Sequence, residues 1–264
     1  MNIKNFYHNF YFLWWRNLEK SLLIIFCSLF ILGLFFSLVS TSFIASDRLN
    51  TNNYLFFFEH FIFVSIGFCT MIFFSYLSKE KLFVISKILF IIFFLALIFV
   101  PIIGVEVKGS KRWLDIFFLP RFQPIEILKP FIVVMIASVL SLEKQENNYV
   151  KYILSFLIIL PIIILLVTQP DIGQTILIFL TWLALIFISG INLFLFFTFF
   201  GLIISAIFYL ILFIPKFSYI LIRIKSFFDP SSGNNYQSEK ASEAIISGGF
   251  FGKGIGEGTL KNRV

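Results

Sequence analysis

Between Lys108 and Pro130 the chain reads KGSKRWLDIFFLPRFQPIEILKP, a polar and aromatic stretch set between long runs of Phe, Ile and Leu. Lys111 and Arg112 are adjacent and Trp113 follows them. Neighbouring Lys and Arg suit a phosphate, and Trp settles naturally at headgroup level. The stretch can therefore serve as a platform for an anionic, lipid-linked substrate. It can equally be an ordinary extramembrane loop with an interfacial Trp anchor, and composition by itself favours that plainer reading. Glu126 and Lys129 come next at i,i+3, on one face of a helix. Either charge alone at the bilayer centre would cost about 2.5–3.5 kcal/mol. A mutual, buried, structural pair is expected over two side chains snorkelling to water. A third polar point is Gln169-Pro170-Asp171-Ile172-Gly173. Pro and Gly break a helix there, and Asp171 can cap the next one. Capping accounts for Asp171 by itself; a catalytic role is the lesser reading.

These residues must be positioned by membrane-spanning helices. Of 264 residues 59% are hydrophobic and only 13% charged, against roughly 25% charged in soluble domains. Several stretches of 18 or more residues carry almost no charge, which makes them spans. Seven are expected: about Ser21–Phe43, Tyr54–Leu77, Leu82–Ile103, Pro124–Leu142, Val150–Val167, Ile172–Ile188 and Leu193–Ile214. The links between the last three are very short, so those helices should be antiparallel neighbours. Pro161 should kink the fifth. The fold class is all-α, a polytopic membrane helix bundle.

The formal charge of +7 then concerns loops and lipid headgroups, and nucleic acid is excluded as a partner. Cys27 and Cys69 fall in apolar runs and read as small hydrophobes. His8 and His60 have no partner at metal-ligand spacing, so no metal site is expected. No cofactor is evident, and a divalent cation is left open.

Residues 1–20 are aromatic and mildly basic, an interfacial segment leading into the first span. Residues 215–264 differ in kind, being polar, basic and rich in glycine from Gly233 to Gly258. Ser238–Ser247 can form a short helix ended by Gly248-Gly249. Gly252-Lys253-Gly254-Ile255-Gly256 has neither Walker spacing nor a preceding strand, so it reads as a turned loop.

Taken in order, KGSKRW, FQPIEILKP, TQPDIGQT, RIKSFFDP, NNYQ and SGGFFGKGIGEGTLK resemble the SEDS family, over about Ser21–Lys261. Val107-Lys108-Gly109 and Lys129-Pro130 lean toward its division branch over its elongation branch. One departure is Ile125, where the family usually carries Ser. The resemblance implies a bundle of about ten spans, with residues 1–20 cytoplasmic, 21–214 in the membrane and 215–264 extracytoplasmic. It implies a peptidoglycan glycosyltransferase polymerising lipid II (an undecaprenyl-pyrophosphate-linked disaccharide peptide) at the division septum of a bacterial inner membrane. The implied partners are a penicillin-binding transpeptidase and other division proteins. Glu126 and Lys129 match the family's intramembrane acid–base pair. The family's catalytic aspartate belongs to a segment expected just after Val264, so this chain is expected to be an incomplete copy, inactive alone, with no catalytic residue of its own. Asp229, Glu239, Glu243 and Glu257 lie too early in the loop to match.

Glycosyl transfer of this kind needs a base for the acceptor hydroxyl and cations for the departing pyrophosphate. Lys111, Arg112, Arg223 and Lys253 are candidates for the cations, with Trp113 beside them. A lipid-linked precursor flippase or transporter would also place charges at broken helices, and a non-catalytic division scaffold is a third reading. More Lys and Arg fall outside than inside in this topology, so the positive-inside rule alone would invert the protein. The family topology is preferred because the outer cations concentrate in the two loops expected to meet pyrophosphate.

Overall fold

A computed structural model of the protein describes residues 12, 14–40, 55–107, 110–116, 119–142, 148–228 and 236–253. The chain divides into two compact units, Met1–Leu77 with Asn234–Val264, and Ser78–Gly233.

In the first unit α1 (Lys20–Ser40) and α2 (Leu55–Ser75) pack together, with Phe30 and Phe68 meeting edge to face at 6.5 Å. The aromatic segment before α1 is tied to the end of α2. Trp14 stacks on Tyr76 at 4.2 Å and its indole N–H donates to Ser75 Oγ at 3.1 Å. α9 (Tyr236–Gly248) also belongs to this unit. It ends where Gly249 takes φ +60°, the left-handed position that glycine fills without strain. The expected helix Ser238–Ser247 is therefore present and slightly longer.

The second unit holds α3 (Lys79–Ile103), a three-stranded antiparallel sheet, α4 (Pro124–Leu140), α5 (Asn148–Thr168), α6 (Ile172–Ile188), α7 (Leu193–Phe213) and α8 (Ser218–Phe228). Each apolar stripe follows helical spacing. On α4 it is Ile125, Leu128, Ile132 and Ile136, and on α6 Ile178, Trp182, Leu183 and Ile186. α4 lies between α3 and α5, with Phe93 and Phe131 stacked at 6.3 Å. Lipid is as apolar as these side chains, so close packing and not expulsion of water holds the stripes together. α7 buries none of its residues fully.

α3, α5, α7, α1 and α2 are long and apolar enough to cross a membrane. α4 and α6 have 17 residues each, about 26 Å at 1.5 Å per residue. The seven expected spans thus correspond to α1–α7, five of full crossing length and two shorter. Pro161 sits inside α5, which is helical throughout.

Two features were not expected. The stretch expected as a plain loop after α3 is a sheet, β1 (Val105–Val107), β2 (Ser110–Ile116) and β3 (Leu119–Phe122). Residues 215–264 were expected to hold one helix, yet α8 follows α7 through a single 3-10 turn anchored by buried Phe217. Ile220, Leu221 and Ile224 in ILIRIKSFF carry the helical spacing that signals it.

Candidate functional site

The site is built at the end of α3, where Gly104 turns the chain into β1. A Cβ at Gly104 would lie 2.3 Å from the Val100 carbonyl oxygen and 3.2 Å from that of Trp113. Glycine is what lets β2 pass this close to the helix end.

Along β2, Arg112 is half-buried and Leu114 fully buried, while Lys111 and Trp113 are exposed; the pairing with β1 is irregular at Arg112, where Lys111 opposes Glu106 and Trp113 opposes Val105. Leu114 joins the core with Leu97 and Val100 of α3. Arg112 reaches the turn between α5 and α6. It donates from Nε to the Gln169 carbonyl at 3.2 Å and from Nη2 to the Pro170 carbonyl at 2.5 Å, and its Nε lies 3.6 Å from Asp171 Oδ2. Those carbonyls are released where Pro170 ends α5, and a forked guanidinium is the side chain that can take two of them and a carboxylate together.

Asp171 is the hub. Its Oδ1 accepts from the Gln174 backbone N–H at 3.4 Å, which caps α6 as expected. Its Oδ2 accepts from Gln123 Nε2 at 3.2 Å as well as facing Arg112. Gln123 is the N-cap residue of α4, yet its side chain makes no cap bond because it turns to Asp171 instead. Proline at the first helical position of α4 reduces the need for one.

A second contact leaves the same turn. Gln174 Nε2 donates to Glu126 Oε1 at 2.5 Å, and Glu126 Oε2 pairs with Lys129 Nζ at 2.5 Å. The expected Glu126–Lys129 pair is formed. It is less enclosed than expected, since the Glu126 side chain is 47% exposed and that of Lys129 26%. Pro130 has no N–H for the Glu126 carbonyl, so this is also the turn where the α4 ladder is interrupted.

Glu106 and Lys111 are Cα partners across β1 and β2, and neither has an ion-pair partner among the described residues. They line a cavity of about 230 Å³ together with Pro101, Ser110, Thr168, Gln169 and Pro170. Gln169 Nε2 and Gln174 Oε1 are buried at the turn with no hydrogen-bond partner among the described residues. No group of three or more metal-ligating side chains occurs among the described residues.

The structure thus joins Arg112 to Asp171 and Glu126 to Lys129, and leaves Lys111 and Trp113 exposed, with Lys111 at the cavity that Gln169 and Pro170 also line. Arg223 is on α8, and Lys253 is exposed just past α9 beside Gly252. Gln123 and Gln174 were missed as site residues. Their polar amides next to helix starts were the available signal, but an amide there does not say which distant carboxylate it will meet.

The model of the FtsW, RodA and SpoVE cell cycle proteins matches residues 19–264. The probable peptidoglycan glycosyltransferase FtsW of Aliivibrio salmonicida is 30% identical over 84% of this chain and 56% of its own length. That of Caulobacter vibrioides is 27% identical over 96% of this chain and 64% of its own. That of Coxiella burnetii is 32% identical over 90% and 65%. The chain thus spans less than two thirds of the length of these relatives. Among solved structures, a chain of a peptidoglycan synthase complex that coordinates polymerisation and crosslinking aligns with TM-score 0.64, 22% identity, and 87% and 65% coverage. A mutant of the Thermus thermophilus rod shape determining protein RodA aligns with TM-score 0.56, 21% identity, and 69% and 59% coverage. Both show a shared fold.

Proposed function

The chain belongs to the FtsW, RodA and SpoVE family of cell cycle proteins and is FtsW-like, and from that premise we propose that it works in septal peptidoglycan synthesis, as a glycosyltransferase that polymerises lipid II. It is an integral membrane protein by family and by its apolar helices. The observation that carries the proposal is the exposed pair on β2. Lys111 and Trp113 stand exposed on a sheet pinned to the polar ends of α3, α5 and α6. An ammonium and an indole at that level suit the pyrophosphate and the membrane interface of a lipid-linked sugar donor.

Arg112 contributes differently from what adjacency to Lys111 suggests. Its three contacts with the α5–α6 turn commit it to holding the sheet. Lys111 is the cation of the pair that is left to face the leaving pyrophosphate, where it would stabilise developing charge. Asp171 and Glu126 are each held by a cation and an amide. We therefore assign neither as the general base for the acceptor hydroxyl. A penicillin-binding transpeptidase is the partner this reading calls for, at the division septum of the bacterial inner membrane.

The test is to reconstitute the full-length protein encoded by the gene, with its transpeptidase, in liposomes containing fluorescent lipid II. Glycan ladders that Lys111→Ala and Trp113→Ala shorten or abolish are expected. Movement of lipid II between leaflets with no glycan formed would replace this reading with the transporter one.

A further inference from the structure

We infer that Asp171 and Arg112 are positioning residues. Together they hold the exposed Lys111 and Trp113 of β2 in the pose in which they meet a lipid-linked polyanion. The inference rests on the function proposed above for that pair.

Three observations carry it. First, two side chains of β2 are seated, Leu114 in the core and Arg112 on the α5–α6 turn, and Lys111 and Trp113 are the exposed residues on either side of Arg112, so holding Arg112 holds the backbone that carries them. Second, one carboxylate oxygen ties the middle strand of the sheet to the residue that leads out of it. Asp171 Oδ2 faces Arg112 in β2 and accepts from Gln123 at the start of α4. Third, the other oxygen of the same carboxylate caps α6, so the hub is anchored to a helix end and cannot drift with the sheet. Asp171 side-chain exposure is 10%, which shields these contacts from competing water. A role confined to capping would leave the contacts with Arg112 and Gln123 unexplained.

Asp171→Asn separates capping from positioning. Asparagine caps helices as well as aspartate does, so α6 should still form. It keeps an acceptor for Gln123 but loses the charge that faces Arg112. Arg112→Lys is the companion variant, keeping charge while losing the fork that spans two carbonyls. A spin label is placed at Lys111→Cys in a Cys27→Ser, Cys69→Ser background, and its mobility is read in liposomes with and without Asp171→Asn. Separately, KM and kcat for fluorescent lipid II are measured on the unlabelled full-length protein with its transpeptidase.

The expected result is a more mobile label, and a KM raised roughly tenfold with kcat falling much less, as follows when a binding group is misplaced. Arg112→Lys should shift KM in the same direction. An unchanged label, or a mobile label with unchanged KM, overturns the inference. If the unmodified protein makes no glycan, the proposed function fails, while a more mobile label in Asp171→Asn still upholds the positioning.

Discussion

Trp182 donates its indole N–H to Ser155 Oγ at 2.9 Å, with both residues fully buried between α5 and α6. Around the same indole stand Phe156, Phe179 and Phe199, at 5.4, 5.2 and 5.4 Å. Phe199 comes from α7, so one side chain joins three helices. Ser155→Ala leaves the indole donor unpaired in an apolar surround, at a cost of about 1–3 kcal/mol. Trp182→Phe should also destabilise, by opening a cavity. The double variant removes the orphan donor and should unfold at a temperature close to that of Trp182→Phe alone. Thermal unfolding in detergent checks this, and equal, independent losses would mean that the hydrogen bond contributes nothing.

Glu126, Lys129 and Gln174 should behave as one unit. Glu126→Ala leaves the Lys129 ammonium and the Gln174 amide without their shared acceptor. Lys129→Ala leaves a carboxylate with the amide as its remaining side-chain partner. Each change is expected to lower stability in lipid, and the double change should cost less than the sum by about 0.5–3 kcal/mol. Strictly additive losses would show that the residues act separately.

Gly104→Ala should disturb the sheet more than the helix it ends. The added methyl meets backbone oxygens of Val100 and Trp113, which cannot step aside as a flexible side chain would. Reduced stability is expected, along with easier proteolysis between Val105 and Phe122. A variant as resistant as the parent would mean that β2 tolerates a shift away from α3.

The orientation is open to a direct chemical check. With the N-terminus cytoplasmic, the turn before α3 lies inside and the sheet after it outside. In the background lacking both native cysteines, Lys111→Cys should react with an impermeant maleimide added to intact spheroplasts, and Lys79→Cys should not. The reverse pattern would restore the orientation that the charge count favours.

The helices were legible in the sequence because charge-free runs of this length have no other stable form in a bilayer. Glu126–Lys129 and the Asp171 cap were legible for a related reason: both depend on spacings of three residues within one helix. Arg112 with Asp171 was not, although each residue was singled out. Adjacent cations advertise phosphate binding equally well whether they face a ligand or a neighbouring turn. Only the placement of β2 against the α5–α6 turn separates Lys111 from Arg112, and the run KRWLDIFFL gives no alternating pattern from which a strand would be inferred. Gln123 with Asp171 and Gln174 with Glu126 also join distant parts of the chain, which no local rule reports.

The two 17-residue helices carry a consequence for the bilayer itself. A hydrocarbon core is about 30 Å thick, so α4 and α6 fall short of it by a few ångströms where α3 and α5 do not. A bilayer meets such a shortfall by thinning locally or by flanking polar side chains reaching to the headgroups, and Glu126 and Lys129 in the first turns of α4 are side chains of that kind. Local thinning of this kind would be greatest beside α4 and α6. It also makes the protein sensitive to acyl-chain length, since thicker bilayers pay more to deform.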